Sequence, residues 1–273
     1  MAKQKNGSAT VRFTLRAITC LYVGVLVLVP LVLVVWRALS PGLDSFVDAL
    51  TDPFAEHAFQ LTAIVAVSAV LLNTVFGIGA SLLLARYNFF GRRLLSAFID
   101  LPISISPIVV GLALLLVYGP QGWFGPALAS ANFDVVAAVP GMVLATVFVS
   151  LPLVVRAVVP VLQEAGMEQE QAAHCLGAGA FTTFRRITLP TIKWALAYGV
   201  VLSLARSLGE YGAVLVVSGN FEGQTETATL RIDNLYELTQ QTDAAYAITF
   251  VLVLVSVLAI VAITFINPKQ ESE

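Results

Sequence analysis

Long apolar runs alternate with short polar stretches along the whole chain, and this alternation predicts its elements. Apolar segments fall at 15–36, 59–84, 94–118, 136–161, 194–217 and 244–266. Each reaches or exceeds the roughly 20 residues that a helix needs to cross a bilayer. The pattern therefore predicts an all-α, polytopic membrane protein with about six transmembrane helices.

The breaks in the pattern carry the next layer of expectation. A secretory leader has an apolar core of only about 7 to 15 residues, so the first run reads as a retained span, kinked at Pro30. Asp44, Asp48, Asp52 and Glu56 are spaced four apart and predict one short amphipathic helix outside the membrane. The third span is broken by Pro102 and Pro107 and contains Asp100. Carbonyls freed by proline must find partners in protein or water, so its first half is expected to face the bundle interior. The fourth span carries Pro140, Pro152 and a snorkelling Arg156. Arg206 and Glu210 lie four apart inside the fifth, with Ser203 and Ser207 on the same stripe. A charge at a helix centre costs about 2.5 to 3.5 kcal/mol on insertion scales, so these two are expected to pair with each other or with groups on another helix rather than face lipid. Asp100, Ser203, Arg206, Ser207 and Glu210 are the candidates for an intramembrane polar network or for the lining of a passage.

Composition agrees with the pattern: 58% of residues are hydrophobic and 12% charged, against about 45–50% apolar and 25% charged in soluble domains. The net charge of −2 points to no nucleic-acid partner; what matters is where the charges sit relative to lipid. Of the fifteen Lys and Arg residues, all but Arg37, Arg206 and Arg231 fall on or near one side of a six-span topology. Basic loops stay in the cytoplasm. This places both termini and the loop at 162–193 there. The expected layout is a cytoplasmic segment at 1–14, a transmembrane domain at 15–266 containing that loop, and a cytoplasmic tail at 267–273. Cys20 and Cys175 belong to different environments, so no disulfide is expected, and no metal site either.

The 162–193 loop holds the most informative spacing. Glu170 and Gln171 precede Ala172 and Ala173; three residues ending in Leu176 lead to Gly177; nine more lead to Ile187, Thr188, Leu189 and Pro190. The alanines favour a slim helix able to enter a groove, Gly177 permits a sharp turn at its end, and Pro190 can start the next segment without its missing N–H. This arrangement resembles the cytoplasmic signature of ABC importer permeases, E-A-A, three residues, G, nine residues, I-x-L-P. Gln171 stands where the family has glutamate, with Glu170 one residue earlier, so a role for that carboxylate is not carried over directly. Further stretches, NTVFGIGASLLLARYNFFGRRLL, DLPISISPIVVGLALLLVYG, PGMVLATVFVSLPLVVR and GVVLSLARSLGEYGAVLVVSGN, look like the sulfate, thiosulfate and molybdate branch. They are most similar to W-type permeases of sulfate/thiosulfate importers. Ala157 departs from an acidic residue usual there, and no function is attached to that change.

The resemblance implies a type I importer permease fold in which Glu170, Gln171, Ala172, Ala173, Leu176, Gly177, Ile187, Leu189 and Pro190 seat a coupling helix in an ABC ATPase subunit. It implies a second, T-type permease and an extracytoplasmic sulfate-binding protein as partners, with membrane lipid around them. ATP and Mg are expected in the ATPase, with no cofactor in this chain, whose sequence lacks the G-x-x-x-x-G-K-[ST] phosphate loop. No catalytic residue is expected: His57 and His174 both sit in loops, and neither has a nucleophile near it inside the membrane. A membrane hydrolase is excluded on that ground. A molybdate or tungstate permease, which passes another tetrahedral dianion, is the first alternative. An ion-coupled secondary transporter is the second; it would be expected to show an internal repeat, and none is seen.

Overall fold

The computed structural model describes residues 9–266, so the expectations for most of the N-terminal segment and for the 267–273 tail lie outside the described residues. Every regular element among the described residues is helical. Helix α1 (Ala9–Leu39) is followed by α2 (Leu43–Thr51), α3 (Pro53–Arg86), α4 (Arg92–Ser104), α5 (Pro107–Tyr118), α6 (Gly125–Ser130) and α7 (Val139–Ala165). Then come α8 (Glu168–Cys175), α9 (Ala180–Thr183), α10 (Leu189–Leu208), α11 (Gly212–Ser218), α12 (Ala228–Asp233) and α13 (Thr242–Ile266). Five helical stretches are long and apolar enough to span a bilayer, and α4 with α5 makes a sixth, broken one.

Two expectations are corrected and one is sharpened. The break expected in the third span falls at Pro107 and not at Pro102, which stays inside α4: α4 and α5 meet at 115°. Pro107 has no N–H to continue the ladder and its ring restricts the preceding residue, so the chain turns at Ile105 and Ser106. The acidic run does not form one helix. Asp52 ends α2 and its carboxylate accepts from Ala55 N at 3.1 Å, capping α3, with Pro53 in the first turn. The second span therefore starts six residues earlier than hydropathy suggests, and Glu56 belongs to it. Finally, helix resumes at Ala180, well before 194, so the stretch between α7 and the next long helix, α8 included, occupies 166–179. The helix passes Pro190 rather than starting at it. The backbone widens to a π turn over Phe184–Thr188, with Leu189 N donating to Phe184 O, which accommodates the proline ring.

The bundle is built around α7, which packs on α3 and α10, while α11 fits between α5 and α7, and α13 holds α1, α2 and α12. Met142, Ala145 and Val149 of α7 meet Leu61 and Val65 of α3 and Val214 and Val217 of α11. Nearer the α8 end, Val154, Val158 and Leu162 meet Ile192. Lipid tails are as apolar as leucine, so helices associate in a bilayer through close packing at small residues. Gly77 of α3 and Gly199 of α10 both serve this against Val154 of α7: a Cβ on Gly77 would lie 2.7 Å from Val154 Cγ1, and one on Gly199 3.0 Å from the Val154 Cα. Gly77→Val is expected to destabilise the bundle by about 1 to 3 kcal/mol through overpacking, read as a lower midpoint of thermal unfolding in detergent. An unchanged midpoint would show that α3 and α7 part readily there.

Candidate functional site: the short helix between two spans

Helix α8 sits between α7 and the helix that begins at Ala180, and its ends explain its length. Gly166, in an extended positive-φ conformation, stops α7. At the other end Gly177 has φ +84°, Gly177 N donates to His174 O at 3.0 Å, and Ala178 N donates to Ala173 O at 2.9 Å. This paired C-terminal closure needs a left-handed residue, which glycine provides at least cost. His174 Nδ1 lies 3.1 Å from Ala178 O across the same turn.

What holds α8 to the bundle is Glu170. Its Oε1 lies 3.1 Å from Arg86 Nη2 and accepts from Thr188 Oγ1 at 2.8 Å, while Arg86 Nη1 donates to Leu162 O at 2.7 Å. The last turns of α3 and α7, the π turn and α8 thus meet on one carboxylate and one guanidinium, with side chains only 14% and 8% exposed. The residue at the family's glutamate position, Gln171, is exposed; the carboxylate one place earlier makes the anchor. Sequence reasoning singled out Glu170 but not Arg86, whose role depends on a partner 84 positions away. Ala172, Leu176 and Gly177 are exposed as well, Leu176 by 89%, together with Phe181, whereas Ala173, Ile187 and Leu189 are half-buried and Pro190 is exposed. The tethered helix therefore turns a small, partly apolar face away from the bundle.

The other predicted residues divide into three places. Ser203 and Ser207 are buried between α10, α7 and α3, where Asn73 lies 2.8 Å from Ser150 Oγ and Ser207 Oγ lies 3.4 Å from the same atom. Asn73, Thr146 and Ser150 complete this seam and were missed, although an asparagine inside an apolar run is a signal in itself. Arg206 and Glu210 do pair, at 2.7 Å, but not along a continuous helix. α10 ends at Leu208, and Glu210 is buried in the break, where its Oε1 accepts from Ala213 N and caps α11. Asp100 pairs with Arg156 Nε at 2.8 Å across α4 and α7.

At the opposite end of the bundle from α8, sequence reasoning missed a second charged centre. Buried Arg231 binds Glu222, Glu226 (3.6 Å) and Asp52 (3.4 Å) and stacks on Phe54 at 5.4 Å, which ties the start of α3 to the loop before α12. Burial pushes the Glu226 carboxyl above its ordinary range; the Asn234 hydrogen bond and Arg231 oppose this, while Glu222 and Asp52 add to it. A raised folded-state pKa means the native state holds its proton more tightly. The stabilisation is then full below the unfolded carboxylate pKa and is lost as pH rises through the raised value. Glu226→Gln is therefore expected to raise the thermal midpoint above that pKa and to match the parent in acid; a midpoint lowered at pH 8 would mean the Glu226 charge is needed by Arg231.

A bundle of membrane-length helices with a short helix tethered between two of them is the architecture of a polytopic membrane protein. The chain belongs to the family described as binding-protein-dependent transport system inner membrane component, which matches residues 74–272. It is 46% identical over 242 residues to the sulfate transport system permease protein CysW of Synechococcus elongatus, covering 89% of this chain and 85% of that one. Over 251 residues it is 45% identical to the CysW of a Synechocystis strain, covering 92% and 91%. Its fold matches that of a bacterial alginate ABC transporter solved in complex with a pentasaccharide-bound periplasmic protein, with a TM-score of 0.75 over 96% of this chain and 94% of that one at 17% identity. The chain is thus a multi-span inner-membrane permease subunit of an ABC transporter rather than an enzyme.

Proposed function

We propose that this chain is one half of the transmembrane pathway of an importer for sulfate and thiosulfate, with an ABC ATPase seated on α8, a second, T-type permease beside it and an extracytoplasmic binding protein above it. The observation that carries the reading is the anchoring of α8: Glu170, Arg86 and Thr188 connect an exposed helix rigidly to α3, α7 and α10. A push on that helix moves the spans as a body. Transport then follows from alternation between two membrane-wide states, each favoured by a different state of the ATPase. ATP and Mg belong to that partner, and this chain supplies no cofactor site.

Sulfate is favoured over molybdate by the names of the relatives at 45–46% identity. A low-affinity passage suits such a device, since selection falls to the binding protein. The Arg206–Glu210 pair keeps the α10–α11 break neutral and in place. On the basic-loop argument α8 and both termini are cytoplasmic, and the Arg231 centre faces outward. The test is to tag the chain in its own cell, extract it in mild detergent and identify what co-purifies. An ATPase with a second, different permease is the expected result; copies of this chain alone with an ATPase would move the reading to a homodimer, and no ATPase would overturn it.

A further inference from the structure

The loop after α3 and the start of α4 leave a cleft of about 1080 Å³ against α7, and its walls and mouth differ in chemistry. Leu84, Leu94, Ile99, Val155, Val159 and Pro160 make the walls apolar. Arg92 and Arg93 stand at the mouth, and Arg156 lies within. Against these three cations the lining contains one acid, Asp100. Arg92 donates to Asn88 Oδ1 at 2.8 Å, which fixes its direction without neutralising it, and Arg93 is exposed.

Asp100 lies eight residues along α4 from Arg92, or about 12 Å at a helical rise of 1.5 Å per residue. The Arg156–Asp100 pair remains 56% and 40% exposed at that depth. An ion pair opened to hydrocarbon is costly, so it needs a polar cover. A hydrated dianion in transit finds little use for apolar walls, whereas a phospholipid matches both chemistries: a phosphate for the arginines at the mouth and acyl chains for the walls. Basic pockets between spans on the cytoplasmic side suit anionic headgroups.

We propose that this cleft is a binding site for one anionic phospholipid of the inner leaflet, its phosphate held by Arg92 and Arg93. Only the naming of the leaflet rests on the cytoplasmic placement of α8, and the readout is lipid retention, so failure here leaves the transport reading untouched. The exposed Phe89 and Phe90 border the same mouth and enter the interface beside the headgroup.

The test uses the intact purified complex, equilibrated with nanodiscs of phosphatidylcholine and phosphatidylglycerol in equal parts, stripped of loose lipid in neutral detergent and weighed by native mass spectrometry. Each basic side chain near an anionic surface contributes roughly a factor of five. Phosphatidylglycerol should be retained over phosphatidylcholine by roughly tenfold or more, and R92Q/R93Q should lose most of that preference while R16Q, on α1 away from the cleft, keeps it. R93Q alone, at an exposed position, should lower it in the same direction if the double variant assembles poorly. Equal retention of both lipids by the parent, or an unchanged preference in R93Q and R92Q/R93Q, would overturn the assignment. Displacement of the lipid by inorganic sulfate would overturn it too, by showing that the mouth takes free dianions.

Discussion

Glu170→Ala is expected to cut transport by tenfold or more while leaving the ATPase subunit bound. The substitution removes the acceptor for Thr188 and leaves the Arg86 guanidinium, 8% exposed, without its counter-charge. Breaking a buried pair from one side costs about 3 to 5 kcal/mol, and part of that is recovered because Arg86 keeps Leu162 O. Even 1.4 kcal/mol shifts an equilibrium tenfold, so α8 would leave its position on the bundle at least tenfold more often. Its exposed face is untouched, so docking should survive. The measurement pairs sulfate uptake in vesicles with ATP hydrolysis by the same complex: hydrolysis without uptake is expected. Glu170→Gln, which keeps an acceptor for Thr188 but not the charge, should fall between. Parent-level uptake in Glu170→Ala would show that the anchor does not transmit force.

Gly177→Val is the second large effect, and it works through the backbone alone. A Cβ at this glycine meets nothing within 4 Å, so no clash is introduced. What changes is φ, at +84°. A left-handed conformation costs an ordinary L-residue about 1 to 2 kcal/mol, with a β-branched side chain at the upper end. The closure at Gly177 N and Ala178 N should open, and α8 should fray from its end. Uptake is expected to fall severalfold to tenfold with normal amounts of chain in the membrane. Gly177→Asn, which visits the left-handed region more readily, should retain most activity. Equal uptake by the Val and Asn variants would mean that the turn does not matter for coupling. Gly77 shows the opposite case, where negative φ is kept and an added methyl collides with Val154.

The apolar runs placed the spans to within a few residues where burial in lipid outweighs every other force, as for α13, predicted at 244–266 and found at Thr242–Ile266. They misplaced helix ends where another force rules. Asp52 starts α3 early because a carboxylate on Ala55 N stabilises a helix whose first turn is polar, a feature that hydropathy counts against it. The helix through Pro190 begins at Ala180 because a π turn removes the proline's penalty, and a π turn leaves no mark in hydropathy.

The short helix α8 was legible for a different reason. The spacing from Ala172 through Gly177 to Pro190 is a local quantity, and local backbone geometry follows from it. The anchor was not legible in full, because Glu170 finds Arg86 84 positions away and Thr188 18 positions away only after α3, α7 and α10 have packed. The same holds for the buried seam: Ser203 and Ser207 share a stripe in sequence, but their environment comes from Asn73 and Ser150 on other helices. By itself the sequence determined that the chain is a bundle of membrane spans carrying a short helix closed by a glycine, since hydrophobic length and turn preference are sums over neighbouring residues. Only the tertiary structure decided which carboxylate holds that helix, where the fifth span breaks, and which arginines share a cleft, because these depend on distances between segments that packing alone sets.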